Sequence, residues 1–394
     1  MNRDDVVIVG AARTPQGRLN GQLAGLTAVQ LGSAAIAGAL QKSGVPADAA
    51  DAVLVGQVLP AGAGQNPARQ AAIGAGIPWT VHAGSVNKVC LSGLTAVIDA
   101  ARMLRLGDAT VVVAAGMESM TRAPHLLTGS RQGWSYGSVE VLDHMAYDGL
   151  TDAYDRESMG ASTERLNAAY EVTREQQDAV AARSHQRAAA AWDAGVFDAE
   201  IVPVSIPQRR GGPVAVTRDE GIRPDTTPES LAALRPAFAE GGSITAGNSS
   251  QISDGASAVI VTTRSHADAN GWDVLAVVGA SGQVAGPDNS LHAQPAAAIR
   301  KALHKQGIGV EGLDVVEINE AFGAVVARSQ RELGLPDDVV NVHGGGIAIG
   351  HPIGASGNRL VVHAVHELVR RGGGTAAVAL CGGGGQGDAL ILTR

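Results

Sequence analysis

The chain has 394 residues, 45% hydrophobic and 17% charged, with a formal net charge of −8 from 30 Lys and Arg against 38 Asp and Glu. So much apolar content with so little charge supplies a large core and excludes a disordered chain. The acidic balance and 3% aromatic content exclude a nucleic-acid binder, which needs a basic face and stacking rings. No apolar run approaches the ~18 residues of a membrane span, so the expectation is a soluble, cytoplasmic protein with no nucleic-acid or membrane partner, in two or three domains of roughly 150 residues.

Residues 6–9 (Val-Val-Ile-Val) read as a buried strand, and 26–40 have helical spacing with Thr27 as the cap. A strand at 53–55 is followed by a helix opening at Asn66-Pro67, with proline in its first turn. Residues 90–106 read as an apolar helix, stopped by Gly107-Asp108 and followed by a central strand at 109–115. This alternation predicts a layered α/β domain.

The stretch 122–247 changes character. It holds Trp134, Tyr136, Tyr147, Tyr154, Tyr170, Trp192, Phe197 and Phe238, a polar helix at 174–194 and a loop-like run from Pro203 to Pro236. It reads as an insertion over the core. The opening style then returns, with strands at 274–278, 315–318 and 376–380 and helices at 296–304 and 358–371.

Two segments can be laid over each other. Asn87-Lys-Val-Cys-Leu-Ser-Gly93 leads a helix and then a strand ending at Gly116; His351-Pro-Ile-Gly-Ala-Ser-Gly357 leads a helix and then a strand ending at Cys381. Gly93 to Gly116 is 23 positions and Gly357 to Cys381 is 24. A duplicated α/β half explains that match, giving an N-terminal half of 1–121 plus 248–271, an insertion of 122–247 and a C-terminal half of 272–394. Cys90 and His351 would then face each other at matching helix starts.

Cys90 and Cys381 are the only cysteines, with no zinc-type spacing near them. Each has an ordinary reading as a buried thiol, and a single long-range disulfide is a further one. At the start of a helix, however, the dipole and free N–H groups would lower the Cys90 pKa from about 8.5 toward neutrality. His351 lies in Gly344-Gly-Gly-Ile-Ala-Ile-Gly-His-Pro-Ile-Gly-Ala-Ser-Gly357. So many glycines mean that the backbone passes close to something, and a neutral imidazole there can accept a proton or donate to an oxyanion. The run lacks Gly-Lys-Ser/Thr, which excludes a Walker phosphate loop. Cys381-Gly-Gly-Gly-Gly-Gln-Gly387 connects two strands, whereas a dinucleotide loop opens a helix. Its backbone N–H groups suit a carbonyl better. Asn319-Glu-Ala-Phe322 follows a strand, where Asn319 either forms the turn or positions a water or carbonyl.

Together, Asn87-x-x-Cys90-x-Ser92-Gly93, Asn319-Glu-Ala-Phe322, Gly350-His351-Pro-Ile-Gly-Ala-Ser-Gly357 and Cys381-x-Gly-Gly-Gly-x-Gly387 resemble the four signature segments of the thiolases, in the family's order. Thr245-Ala-Gly-Asn-Ser-Ser250 followed by Asp254-Gly-Ala256 resembles the family's pantetheine-contact segment. The resemblance spans the chain. It implies the thiolase fold, two pseudo-equivalent halves in αβαβα layers with an inserted loop domain. It also implies a two-step acyl transfer with no cofactor and no metal, on coenzyme A thioesters as substrates. Cys90 would be the nucleophile, His351 its activator, and Cys381 the acid/base at the acetyl methyl. His351 with a water on Asn319 would form one oxyanion hole, and the N–H groups of Cys90 and Gly383 the other. Coenzyme A would meet Arg223, Ser230, Phe238, Ala246, Ser250 and Phe322.

Asp148-Gly-Leu-Thr-Asp-Ala153 resembles the short-chain branch, acetyl-CoA C-acetyltransferase, which condenses two acetyl-CoA to acetoacetyl-CoA and CoA by a ping-pong route. Ser158-Met159-Gly160 stands where that branch commonly has His-Met-Gly, and Leu291 where it has Met. Both positions border the acyl or pantetheine pocket in the family. The rivals are a broader 3-ketoacyl-CoA thiolase of fatty-acid degradation and a non-catalytic thiolase-like acyl-binding protein. The branch implies a homotetramer, with residues 134–147 as the candidate contact.

Overall fold

The computed structural model describes residues 4–208 and 210–394. Its main sheet runs, in the N-terminal half, from His82–Val86 through Ala52–Gly56, Val111–Ser119 and Ser253–Thr263 to Val6–Arg13. The path continues in the C-terminal half through Ala276–Ala285, Gln386–Thr393 and Thr375–Gly382 to Val315–Ile318. Each half has the same internal pattern. Ala52–Gly56 is parallel to Val111–Ser119, which is antiparallel to Ser253–Thr263. Likewise Val315–Ile318 is parallel to Thr375–Gly382, which is antiparallel to Gln386–Thr393. The outermost N-terminal strand, His82–Val86, is echoed by a single parallel bridge between Val316 and Val340. The halves meet through Val7 opposite Val277 and Ile8 opposite Ala276. This two-residue joint makes one hydrogen-bonded path of what the sequence suggests as separate sheets.

Helices Ser92–Leu106 and Ile353–Arg371 pack on each other as the central layer. One buried cluster joins Leu94, Val97, Leu360 and Val361 to Ile8, Val112, Val378 and Leu390 of both halves' strands. Ala28–Ser43 and Pro67–Gly74 cover the outer face of the N-terminal half, and Gln294–Gln306 and Gly323–Leu333 that of the C-terminal half. The result is five layers, α, β, α, β, α. In Ile353–Arg371, 15 of 19 residues are buried, as expected of a helix enclosed on all sides.

Local signals explain the boundaries. Thr27 and Gln30 form a capping box and Gly44 ends the helix in the left-handed region. Asn66 caps the helix begun by Pro67. Two helix starts differ from expectation. The helix predicted at 90–106 begins at Ser92, leaving Cys90 in the preceding turn. The one predicted at 358–371 begins five residues earlier, at Ile353. Glycine disfavours helix interiors, but Gly93 and Gly357 are needed where the two central helices cross. A Cβ on Gly93 would lie 2.8 Å from Gly354 O and Asn358 N, and one on Gly357 would lie 2.5 Å from Leu94 N. Packing overrides propensity there.

Residues 122–247 contain the short hairpins His125–Leu126 with Leu142–Asp143 and Val204–Ile206 with Val214–Val216, and helices Met159–Asn167, Arg174–Asp193 and Pro228–Ala232. Among the described residues no helix is long and apolar enough to cross a membrane.

Candidate active site

Strand His82–Val86 turns sharply through residues 87–91 into helix Ser92–Leu106, and Cys90 sits on that elbow. Val89 has φ +51°, a conformation that β-branched residues avoid. It persists because its surroundings over-determine it. The Val89 N–H donates to Asn87 Oδ1 at 3.0 Å, and the Lys88 N–H donates to Ser92 Oγ at 2.8 Å. The Ser92 hydroxyl donates in turn to the Val89 carbonyl at 2.6 Å.

Cys90 and Cys381 are both free thiols. Apolar surroundings push the Cys90 thiol up to about 11, although the N–H groups of Gly383 and of Cys90 itself favour the thiolate. This corrects the expectation of a thiol drawn toward neutrality. Cys90 precedes the helix, and desolvation outweighs the dipole. Cys381 is the last residue but one of strand Thr375–Gly382 and is fully buried. Burial first, then the neighbouring Cys90, pushes its thiol well above the usual range.

His351 follows Gly350, whose φ of +122° and contact with Ser253 leave no room for a side chain. Burial, and next the Arg359 guanidinium, hold the imidazole down to about 3, so it is neutral. Its Nδ1 lies 2.5 Å from Ser356 Oγ, which itself donates to Pro352 O at 2.9 Å. The proton on that edge is therefore on Nδ1, and Nε2 keeps its lone pair. Asn319 Nδ2 approaches Nε2 at 3.3 Å. Cys90, His351, Cys381 and Gly383, from three distant segments of the chain, line one cavity whose walls include Leu150, Met159, Leu291 and Ile353. A neutral base, two neutral thiols and inward backbone N–H groups can support nucleophilic acyl transfer.

With that geometry in view, comparisons with known proteins are decisive. Residues 6–265 match the family model for the thiolase N-terminal domain and residues 272–394 that for the C-terminal domain. The chain belongs to the thiolase family. As a thiolase it is an acyltransferase. It is similar to the probable acetyl-CoA acetyltransferase of Mycobacterium tuberculosis, at 58% identity over 98% of both chains. It is also similar to the acetyl-CoA acetyltransferase of Pseudomonas aeruginosa, at 49% identity over 99% of both. The crystal structure of the Bacillus anthracis acetyl-CoA acetyltransferase superposes with a TM-score of 0.96, at 39% identity and 99% coverage of each chain.

Other expected site residues of this thiolase fall into two groups. Ser250, Phe322, Met159 and Leu291 line the cavity. The Ser250 N–H donates to the Ala321 carbonyl, which ties segment 245–250 to the Asn319–Phe322 turn. Asn319 is fully buried behind His351 rather than on the cavity wall, with its Oδ1 unpartnered. Phe238, Ala246, Arg223 and Ser230 lie outside the lining and are exposed. Phe238 stands edge-on to Phe322 at 6.2 Å, over Gly160. The Arg223 N–H donates to His185 Nδ1, and Ser230 is spent on a capping box with Thr227. Ser158 is likewise exposed and outside the lining, and it caps helix Met159–Asn167, accepting from Ala161 N at 3.2 Å. The wall there is made by the next residue, Met159.

Two site carboxylates escape sequence reasoning. Buried Glu118 accepts from Val58 N, Leu59 N and Gly354 N, and so joins the N-terminal half to the start of the helix after His351. Burial pushes it up to about 7 against those three N–H groups. Glu320 accepts from Ser184 Oγ, Asn341 Nδ2 and Ile347 N, and holds the glycine-rich loop before His351. The segment quoted around Asn319 contains Glu320, which was a usable signal. Glu118 had none, because its partners are remote in sequence.

Proposed function

We propose that this thiolase is an acetyl-CoA C-acetyltransferase that reversibly condenses two acetyl-CoA to acetoacetyl-CoA and CoA through an acetyl-Cys90 thioester. The observation that carries this reading is the convergence of Cys90, His351, Cys381 and Gly383 on one cavity with short apolar walls. The names of the P. aeruginosa and B. anthracis relatives support it.

In thiolysis, the Cys90 proton passes to His351 Nε2 as Sγ attacks the 3-keto carbon. The C2–C3 bond breaks, and the acetyl-CoA enolate takes the Cys381 proton, leaving acetyl-Cys90, a Cys381 thiolate and an imidazolium. CoA then enters and gives its thiol proton to Cys381. Its sulfur takes the acetyl group, and the departing Cys90 thiolate recovers the proton from His351. Protons balance over the cycle, which is ping-pong. The raised Cys381 pKa suits the task, because a weakly acidic thiol gives a strongly basic thiolate for the reverse α-proton abstraction. Oxyanion stabilisation falls to His351 with a water on Asn319, and to the N–H groups of Cys90 and Gly383.

The initial rate of CoA-dependent cleavage of 3-ketoacyl-CoA esters of rising chain length, with Cys90→Ala alongside, tests the reading. Activity confined to acetoacetyl-CoA and lost in the variant supports it, whereas activity on longer esters moves the enzyme to the degradative rival. Absence of cleavage by folded protein leaves an acyl-binding role. The same proposal places the enzyme in cytoplasmic fatty-acid metabolism as a homotetramer, supported by the exposed Trp134, Tyr136 and Tyr147 of the candidate contact. An unchanged solution mass on deleting residues 134–147 would remove that contact.

A further inference from the structure

Lys88 and Asp388 are 300 positions apart and belong to different halves, yet Lys88 Nζ donates to both carboxylate oxygens of Asp388, at 2.7 and 2.9 Å. Asp388 is fully buried, and the Lys88 side chain is 23% exposed. Asp388 Oδ2 also accepts from Thr95 Oγ1 at 3.1 Å and from Gln283 Nε2 at 3.2 Å. One carboxylate thus gathers the elbow, the helix that follows it and a strand of the other half.

The position of this pair relative to the two thiols is what gives it consequence. Lys88 is two residues before Cys90, on the strained elbow. Asp388 lies across the hairpin from Leu380, while Cys381 faces Gly387. Each end of the ion pair is therefore within two residues, or one register step, of a thiol that lines the cavity. Besides the Gly383 N–H that reaches the Cys90 thiol, these loops meet through apolar packing, as where Leu91 fills the space over Gly382. Apolar packing resists separation but tolerates sliding, whereas a charge-assisted contact to a carboxylate that Thr95 and Gln283 also hold fixes the position of the Lys88 ammonium.

We propose that the Lys88–Asp388 ion pair is a positioning clamp that sets Cys90 against Cys381 and Gly383, and that it serves the carbon–carbon step more than acyl exchange. This rests on the reading of Cys381 as the proton donor to the enolate. Acyl exchange between CoA and Cys90 expels a thiolate, a good leaving group that tolerates a misplaced acid. Cleavage of the carbon–carbon bond expels an enolate, which needs its proton donor and N–H groups in place. A small shift between the loops therefore falls unequally on the two reactions.

The test measures two rates in wild type, Asp388→Asn and the double variant Lys88→Met/Asp388→Leu. One is exchange of labelled CoA into acetyl-CoA, which needs only acetylation of Cys90 and its reversal, with Cys381 handling a thiol proton and no enolate formed. The other is thiolysis of acetoacetyl-CoA. The double variant leaves no unpaired buried charge and is the one expected to keep the wild-type melting temperature. In both variants the kcat for thiolysis is expected to fall by about 30-fold or more. KM for acetoacetyl-CoA should stay within about twofold and exchange within about fivefold. Unchanged thiolysis, or an equal fall in both rates in the folded double variant, would overturn the clamp. Wild type that exchanges label but fails to cleave acetoacetyl-CoA would instead refute the role given to Cys381, a result independent of the variants.

Discussion

His351 and Ser356 are locked in one tautomeric arrangement. The Ser356 hydroxyl is committed to the Pro352 carbonyl at 2.9 Å, so at 2.5 Å it can only accept from His351 Nδ1–H. Nε2 is left with its lone pair, which the proposed mechanism uses as the base. Replacing Ser356 by alanine strands a buried N–H and frees the ring to turn or change tautomer. Ser356→Ala is expected to lower kcat for acetoacetyl-CoA thiolysis by about a hundredfold, with little change in KM. A kcat within threefold of wild type, in steady-state assays, would mean that the serine does not hold the base.

Burial places Cys90 at about 11 and His351 at about 3, so near neutral pH both partners are uncharged. In the proposed mechanism the thiolate then forms only as a proton is removed during attack. The sign is fixed by the raised thiol. Carboxamidomethylation of Cys90 in the free enzyme should accelerate about tenfold per pH unit from pH 7 to 10, without a plateau. Mass spectrometry of the Cys90 peptide after timed iodoacetamide exposure follows this directly. A plateau below pH 8 would reveal a resting thiolate–imidazolium pair and contradict the neutral pair.

Gly93 sits where the central helices touch backbone to backbone. A Cβ there would lie 2.8 Å from Gly354 O and Asn358 N, and neither is the end of a flexible side chain. Both helices would have to move apart, and they carry Cys90 and His351 just ahead of their starts. Gly93→Ala should therefore cost about 3 kcal/mol or more by overpacking, although the same change stabilises an ordinary helix interior by nearly 1 kcal/mol. Chemical denaturation of the two proteins separates these signs.

Much of this arrangement was legible in the chain because duplication and glycine leave marks in one dimension. The near-equal spacings from Gly93 and from Gly357 to their strand ends correspond to equivalent strands, Val111–Ser119 and Thr375–Gly382. Cys90 and His351 each precede their helix by two residues. The glycines around His351 did signal close backbone approach. The illegible part is what depends on the third dimension. The dipole argument for Cys90 ignored how apolar the cavity is, and desolvation won. Ser158 stands where the short-chain branch commonly has His, and that comparison gives no hint that its hydroxyl caps a helix. Asp388 gathers partners from three elements and Glu118 from two, and no local pattern announces such a role.

Leu291 bears on chain length. It is nearly fully buried and packs with Ile244, Phe322 and Cys381 on one side of the cavity, where Met159 also lines the wall. On the proposed short-chain reading, an acyl chain longer than acetoacetyl meets that wall. Leu291→Ala removes three carbons, and the lost packing should cost about 2–3 kcal/mol of stability. A pocket discriminates each extra methylene by about 10-fold or more when it has no room for it, and the new space should accept about two. The ratio of kcat/KM for 3-ketohexanoyl-CoA to that for acetoacetyl-CoA is therefore expected to rise at least about tenfold in the variant, through the longer substrate. The assay is thiolysis of both esters, with a thermal melt to confirm folded protein. An unchanged ratio in folded Leu291→Ala would place the acyl chain elsewhere, and Leu150 or Ile353 would then be the wall that sets its length.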